Sequence, residues 1–243
     1  MGVLCSPTME PISTGPRGPR QTTASLVVEH LRTRIVTGDL KPGDTLNIAS
    51  ISSELGVSQT PAREALHLLS NEGLVELNAF RKAQVAPLSA DEYEEIFIMR
   101  VGLEGLAAEL GAQRISDEEI QSLKERLDEL AEAAKAGDVD QFIDVDRKFH
   151  RVHYLATRRE RLWERIISMR TTAERYTRLG YDLPEVGLTD TLERHRTLFD
   201  AVKNRDGARA RNEIVTDLTR TYESVRAAIL ELEASKGSNG DGR

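Results

Sequence analysis

The segment from Ile48 to Leu74 constrains the fold more than any other, because its turn residues leave the backbone few options. A short stretch, Ile48–Leu55, reads as a helix closed by Gly56. Ser58-Gln59-Thr60-Pro61 follows, where Ser58 can cap a new helix and Pro61 is tolerated in its first turn. The spacing of Ala62, Ala65, Leu66 and Leu69 predicts that this helix runs to about Ser70, with Gln59, Thr60 and Arg63 on its outer face. Upstream, Val27, Leu31 and Ile35 recur every four residues and predict a helix over Thr23–Thr37, ended by Gly38 before a Pro42-Gly43 turn. Downstream, Leu74–Leu77 and Ala83–Ala86 read as two short strands around Asn78–Lys82. Helix, helix, turn, helix and a basic-tipped hairpin make the plan of a winged helix-turn-helix.

From Ser89 onward the pattern is helical throughout. Ser89-x-x-Glu92 and Ser116-x-x-Glu119 read as capping boxes, and further helical stretches lie near 138–157, 160–178, 189–204 and 207–235. Their short connections predict antiparallel neighbours in a bundle. The expected fold class is therefore mainly α, an N-terminal winged helix-turn-helix followed by an antiparallel all-helical bundle. The expected division is a flexible tail over 1–21, a winged helix-turn-helix DNA-binding domain over 22–88, a helical domain over 89–235, and a second tail over 236–243.

Composition narrows the setting. The single cysteine, Cys5, excludes a disulfide framework, no stretch approaches a membrane span, and no signal peptide is evident, so a cytoplasmic protein without a membrane partner is expected. The net charge of −7 argues at first against nucleic acid. Yet residues 1–88 carry 8 Lys/Arg and 8 Asp/Glu, so the whole imbalance falls beyond them. A neutral N-terminal domain can meet DNA through a few placed basic groups.

Residues leading a recognition helix face the major groove. Here they are Ser58, Gln59, Thr60 and Arg63. Gln pairs bidentately with adenine, and Arg with guanine or a phosphate. Arg81 and Lys82 at the hairpin tip can reach a phosphate or the minor groove, and Arg32 and Arg34 are possible backbone contacts. For each, a solvated surface charge is the plain alternative.

In the bundle, Val139, Phe142, Ile143, Val145 and Phe149 define an apolar face that also contains Asp146, His150 and His153. A carboxylate and imidazoles in a core stripe need partners, and Asp146 and His150, four apart, can share one metal. His195 lies in a similar stripe with Leu192, Phe199 and Val202. Arg100 shares an inner face with Glu104, either as an internal ion pair or as a clamp for an effector carboxylate. Arg170 and Arg175 could line a pocket, but the placement of their helix within the bundle is left open.

The run Gly56-Val57-Ser58-Gln59-Thr60-Pro61-Ala62-Arg63-Glu64-Ala65-Leu66, with Leu69, Glu72-Gly73-Leu74 and the upstream Ile35-x-x-Gly38-x-Leu40-x-Pro42-Gly43, resembles the GntR superfamily of transcriptional regulators. Members usually carry Arg where this chain has Gln59, so the family's usual operator is not implied. Arg100-x-x-Leu103-Glu104, Asp146-x-x-Phe149-His150 and Arg194-His195 resemble the FCD ligand-binding domain of the FadR-like branch. The resemblance implies that residues 89–235 form an effector-binding and dimerisation domain, and hence a homodimeric regulator, a repressor rather than an enzyme, on a pseudo-palindromic double-stranded DNA operator. It also implies a divalent metal (Zn²⁺, Mn²⁺ or Ni²⁺) beside a small carboxylate effector. Its ligands would be Asp146, His150, His195 and, at the family's last histidine position, Asp217, with His153 as a substitute for the last. A metal-free regulator of a bulkier ligand such as an acyl-CoA, and a metal-dependent enzyme, are the alternatives.

Overall fold

The computed structural model describes residues 22–78, 82–181, 183 and 186–238. The chain divides between Pro87 and Leu88 into two compact units. The first contains α1 (Thr23–Val36), β1 (Thr45–Leu46), α2 (Ile48–Leu55), α3 (Gln59–Asn71), β2 (Val75–Leu77) and β3 (Ala83–Val85). Val27, Leu31 and Ile35 of α1 pack with Ala62, Ala65, Leu66 and Leu69 of α3 in one core. The Asn47 side chain accepts from Ala49 N–H and Ser50 N–H to start α2, and Gly56 ends it in the left-handed region at φ +65°.

The sheet has order β1-β3-β2 with both pairings antiparallel, so the wing hairpin gains a third strand that sequence did not reveal. β1 is held by Gly43 N–H on Val85 O and Val85 N–H on Asp44 O, both 2.9 Å. The expected strands each lose one residue, Leu74 and Ala86, although Ala86 N–H still reaches Leu74 O at 3.1 Å. The result is a winged helix-turn-helix.

The second unit is all helical: α4 (Ala90–Ala112), α5 (Asp117–Ala136), α6 (Val139–Leu155), α7 (Glu160–Tyr181), α8 (Leu188–Lys203) and α9 (Gly207–Ser238). Helix α9 thus runs past the expected end at 235. Leu123, Leu130, Phe142, Phe149, Ile166 and Val202 lie at its core. Each such side chain contributes about 1.5–3 kcal/mol through its burial. A smaller cluster joins Tyr93, Tyr176, Val225 and Ile229.

Of the two expected capping boxes, one closes. Ser116 Oγ accepts from Glu119 N–H while Glu119 accepts from Ser116 N–H. At Ser89 only the first half forms, because the Glu92 carboxylate is taken by the Tyr176 hydroxyl. Among the described residues no helix is long and apolar enough to cross a membrane.

Candidate functional site

Two surfaces carry chemistry, one in each unit. In the first, α3 turns Ala62, Ala65, Leu66 and Leu69 inward, which leaves Ser58, Gln59, Thr60 and Arg63 exposed along its leading edge. Ser58 occupies the N-cap position, but its side chain makes no capping bond, contrary to its expected role. Lys82 is exposed at the hairpin, where its N–H donates to Asn78 Oδ1 at 3.1 Å. Arg81 lies outside the described residues. Arg32 and Arg34 are committed elsewhere. The Arg32 guanidinium forks onto Glu72 through Nε (3.0 Å) and Nη2 (2.7 Å), and Arg34 Nη1 reaches Glu54 Oε1 at 2.9 Å.

In the second unit, α6 and α8 bring Asp146, His150 and His195 together. One ligand atom from each lies within 4.8 Å of the others. His195 Nε2 is 2.8 Å and His150 Nε2 is 3.4 Å from Asp146 Oδ1. His195 Nδ1 lies 2.8 Å from Thr191 O, which orients the ring. His150 Nδ1 is buried without a hydrogen-bond partner.

The electrostatics follow from burial and from one cation. Burial opposes ionisation of Asp146, but Arg170, His150 and His195 outweigh it and hold the carboxyl well below its usual range. Burial and Arg170 push His150 down to about 4, so it is neutral at physiological pH with a lone pair to offer. His195 is buried too, yet its bond to Asp146 prevails and raises it.

These three residues line a cavity of about 60 Å³ walled also by Arg100, Arg170 and Asp217. Asp217 does not join the cluster. Its Oδ1 accepts from Arg194 Nε, and that guanidinium is bonded to Asp190 as well. His153 stays apart also, fully buried and packed against Tyr154 at 4.2 Å and Phe149 at 6.0 Å between ring centroids. Arg100 Nε donates to Glu104 Oε1 at 2.6 Å, so the internal pair exists while the residue still faces the cavity.

Arg170 is the residue that sequence left unplaced. Its Nη1 donates to Glu104 Oε2 at 2.6 Å, and its Nη2 to Asp146 Oδ2. The available signal was its position four residues after the buried Ile166 and three before Ala173, on the inner stripe of α7.

Comparison with known proteins adds a family. The FCD domain matches residues 95–220, and the gntR family of bacterial regulatory proteins matches residues 23–81. The chain is 26% identical over 211 residues to the HTH-type transcriptional repressor RspR of Escherichia coli (strain K12), covering 86% of this chain and 91% of that protein. It is 27% identical over 202 residues to the HTH-type transcriptional regulator YdhC of Bacillus subtilis (strain 168), covering 83% and 90%. The solved structure of E. coli McbR/YncC shares the fold, with TM-score 0.72 at 24% identity over 88% of this chain and 100% of that one.

Proposed function

The chain belongs to the GntR family of bacterial regulatory proteins, in its FCD-domain branch, and is a DNA-binding transcriptional regulator; from that premise we propose that a small carboxylate effector, bound beside a divalent metal, controls repression by a homodimer at a pseudo-palindromic operator. The convergence of Asp146, His150 and His195 in the wall of one cavity supports the metal most directly. Two imidazoles and a carboxylate suit Zn²⁺, Mn²⁺ or Ni²⁺ and leave coordination positions open. When bound, the ion supplies positive charge and those open positions to a carboxylate.

The protein's own groups do the rest. Thr191 O orients His195, the neutral His150 offers a lone pair, and the ionised Asp146 supplies an oxygen. Arg100 gives one N–H to Glu104 and keeps others for an effector carboxylate, so the pair and the clamp are compatible. A cavity of about 60 Å³ suits an ion and a few small ligand atoms better than an acyl-CoA.

On the DNA side, Ser58, Gln59, Thr60 and Arg63 address base edges, with Gln59 on adenine, while Arg81 and Lys82 hold the backbone. Two such units related by a two-fold axis require matching half-sites. A coupling of ~1–3 kcal/mol between effector and operator is enough for regulation.

Elemental analysis of the extensively dialysed protein tests the metal. About one ion per chain is expected, as in other three-ligand sites, and its loss in both Asp146→Ala and His150→Ala. A metal-free wild type whose thermal stability does not rise with added Zn²⁺, Mn²⁺ or Ni²⁺ would overturn the metal and leave Arg100 as the effector's anchor.

A further inference from the structure

Arg170 stands at the centre of this site without a part in the reading above. The Asp146 carboxylate is divided between two neighbours. Its Oδ1 faces the imidazoles of His195 and His150, at 2.8 Å and 3.4 Å, whereas its Oδ2 accepts from Arg170. The other end of the Arg170 fork is fixed. Glu104 is 0% exposed and takes Arg170 Nη1 at 2.6 Å, Arg100 Nε at 2.6 Å and Tyr154 OH at 2.9 Å. A carboxylate held by three donors cannot turn, and a guanidinium is planar and rigid. The direction in which Arg170 presents its second nitrogen is therefore set by Glu104.

We propose that Arg170 is the positioning residue of the metal centre: pinned to Glu104, it occupies Asp146 Oδ2 and so presents Oδ1 to the ion as a single-oxygen ligand. This rests on the metal reading above. An unheld carboxylate at this place would be free to rotate or to chelate with both oxygens. A bare guanidinium so near a divalent ion would repel it, but Arg170 is ion-paired both with Glu104, which it shares with Arg100, and with Asp146 itself. Three helices contribute to the device, Asp146 from α6, Arg170 from α7 and Glu104 from α4.

Co²⁺ is the probe, because its absorption spectrum reports coordination number and geometry. Affinity is read by competition with a chromophoric chelator in the wild type, Arg170→Gln and Arg170→Lys, each checked for fold by circular dichroism. Removing an outer-shell partner weakens binding about 10- to 100-fold, and Arg170→Gln should fall in that range with an altered spectrum. Arg170→Lys keeps the charge but replaces the rigid planar fork with a compact ammonium whose donors rotate, so it holds the two carboxylates without fixing the direction of Asp146 and should recover only part of the affinity. Folded variants with wild-type affinity and spectrum, even if they melt earlier without metal, would reduce Arg170 to a structural ion pair and overturn the proposal. If Arg170→Gln fails to fold, Arg170→Lys decides by the same two readouts. A wild type that takes up no Co²⁺ sinks the metal reading itself, which is a distinct result.

Discussion

Glu104 is completely buried yet ionised, and the balance that keeps it so can be measured. Burial raises its pKa, but Arg100 and Arg170 outweigh burial and bring it from the usual 4.5 down to about 2. A carboxyl depressed in the folded state contributes stability that is complete above its unfolded value and is lost as pH falls through the folded one. The helical unit should therefore weaken between about pH 4.5 and about pH 2. Glu104→Gln leaves two buried guanidiniums short of a partner and should cost about 3–5 kcal/mol at neutral pH, while flattening this part of the acid limb. Urea unfolding across that range checks both, and an unchanged acid limb in the variant would assign it to other carboxyls. At this scale the sequence was partly legible. The Arg100–Glu104 pair follows from four-residue spacing, whereas Arg170 meets partners 66 and 24 residues away, beyond the reach of any local pattern.

The approach of α4 to α6 turns on Gly111. A Cβ added there would lie 2.1 Å from His153 O, a backbone atom that cannot rotate aside. Helix propensity alone favours alanine over glycine by ~1 kcal/mol, so crowding and propensity predict opposite signs. Crowding should win, with Gly111→Ala destabilising by about 1–3 kcal/mol as the helices are pushed apart. Gly102, on the same helix with nothing within 4 Å, is the internal control, and Gly102→Ala should stabilise by up to ~1 kcal/mol. Urea midpoints for the two variants should move in opposite directions; a stabilised Gly111→Ala would mean that the crossing is looser than it looks. Helix starts and ends were legible, because Gly56, Ser116 and the apolar spacing act locally. The two-residue β1 was not, since its pairing with β3 depends on chain nearly forty residues away, too distant for any window to register. Ser89 and Ser58 show the same limit. Sequence marks a capping position, but tertiary partners decide whether the side chain is used.

For the whole molecule, charge sets how DNA can be held. The net charge of −7 lies entirely beyond residue 88, and Arg32 and Arg34 in the first unit are already paired with Glu72 and Glu54. Among the described residues of that unit, exposed Lys41, Arg63 and Lys82 make no ion pair, and of these Arg63 leads the recognition helix and Lys82 lies at the hairpin, so these two are the candidates to meet a duplex. With so few phosphate contacts, operator binding should depend only gently on salt, and specificity must come from base edges. Each phosphate contact adds ~0.9 to the slope of log K against log salt, so Lys82→Ala should lower that slope by about two in a dimer and weaken all sequences alike. Arg63→Ala should behave differently, costing about 1–3 kcal/mol per half-site on the preferred operator while relaxing base preference at one position. Fluorescence anisotropy with operator and scrambled duplexes, at several salt concentrations, separates the two. A Lys82→Ala slope equal to wild type would take Lys82 off the phosphate backbone. If Arg81→Ala combined with Lys82→Ala kept that slope as well, the recognition helix would have to hold the DNA with Arg63 as its one free cation among the described residues of that helix, and Arg63→Ala would then weaken binding to every sequence instead of relaxing the choice among them.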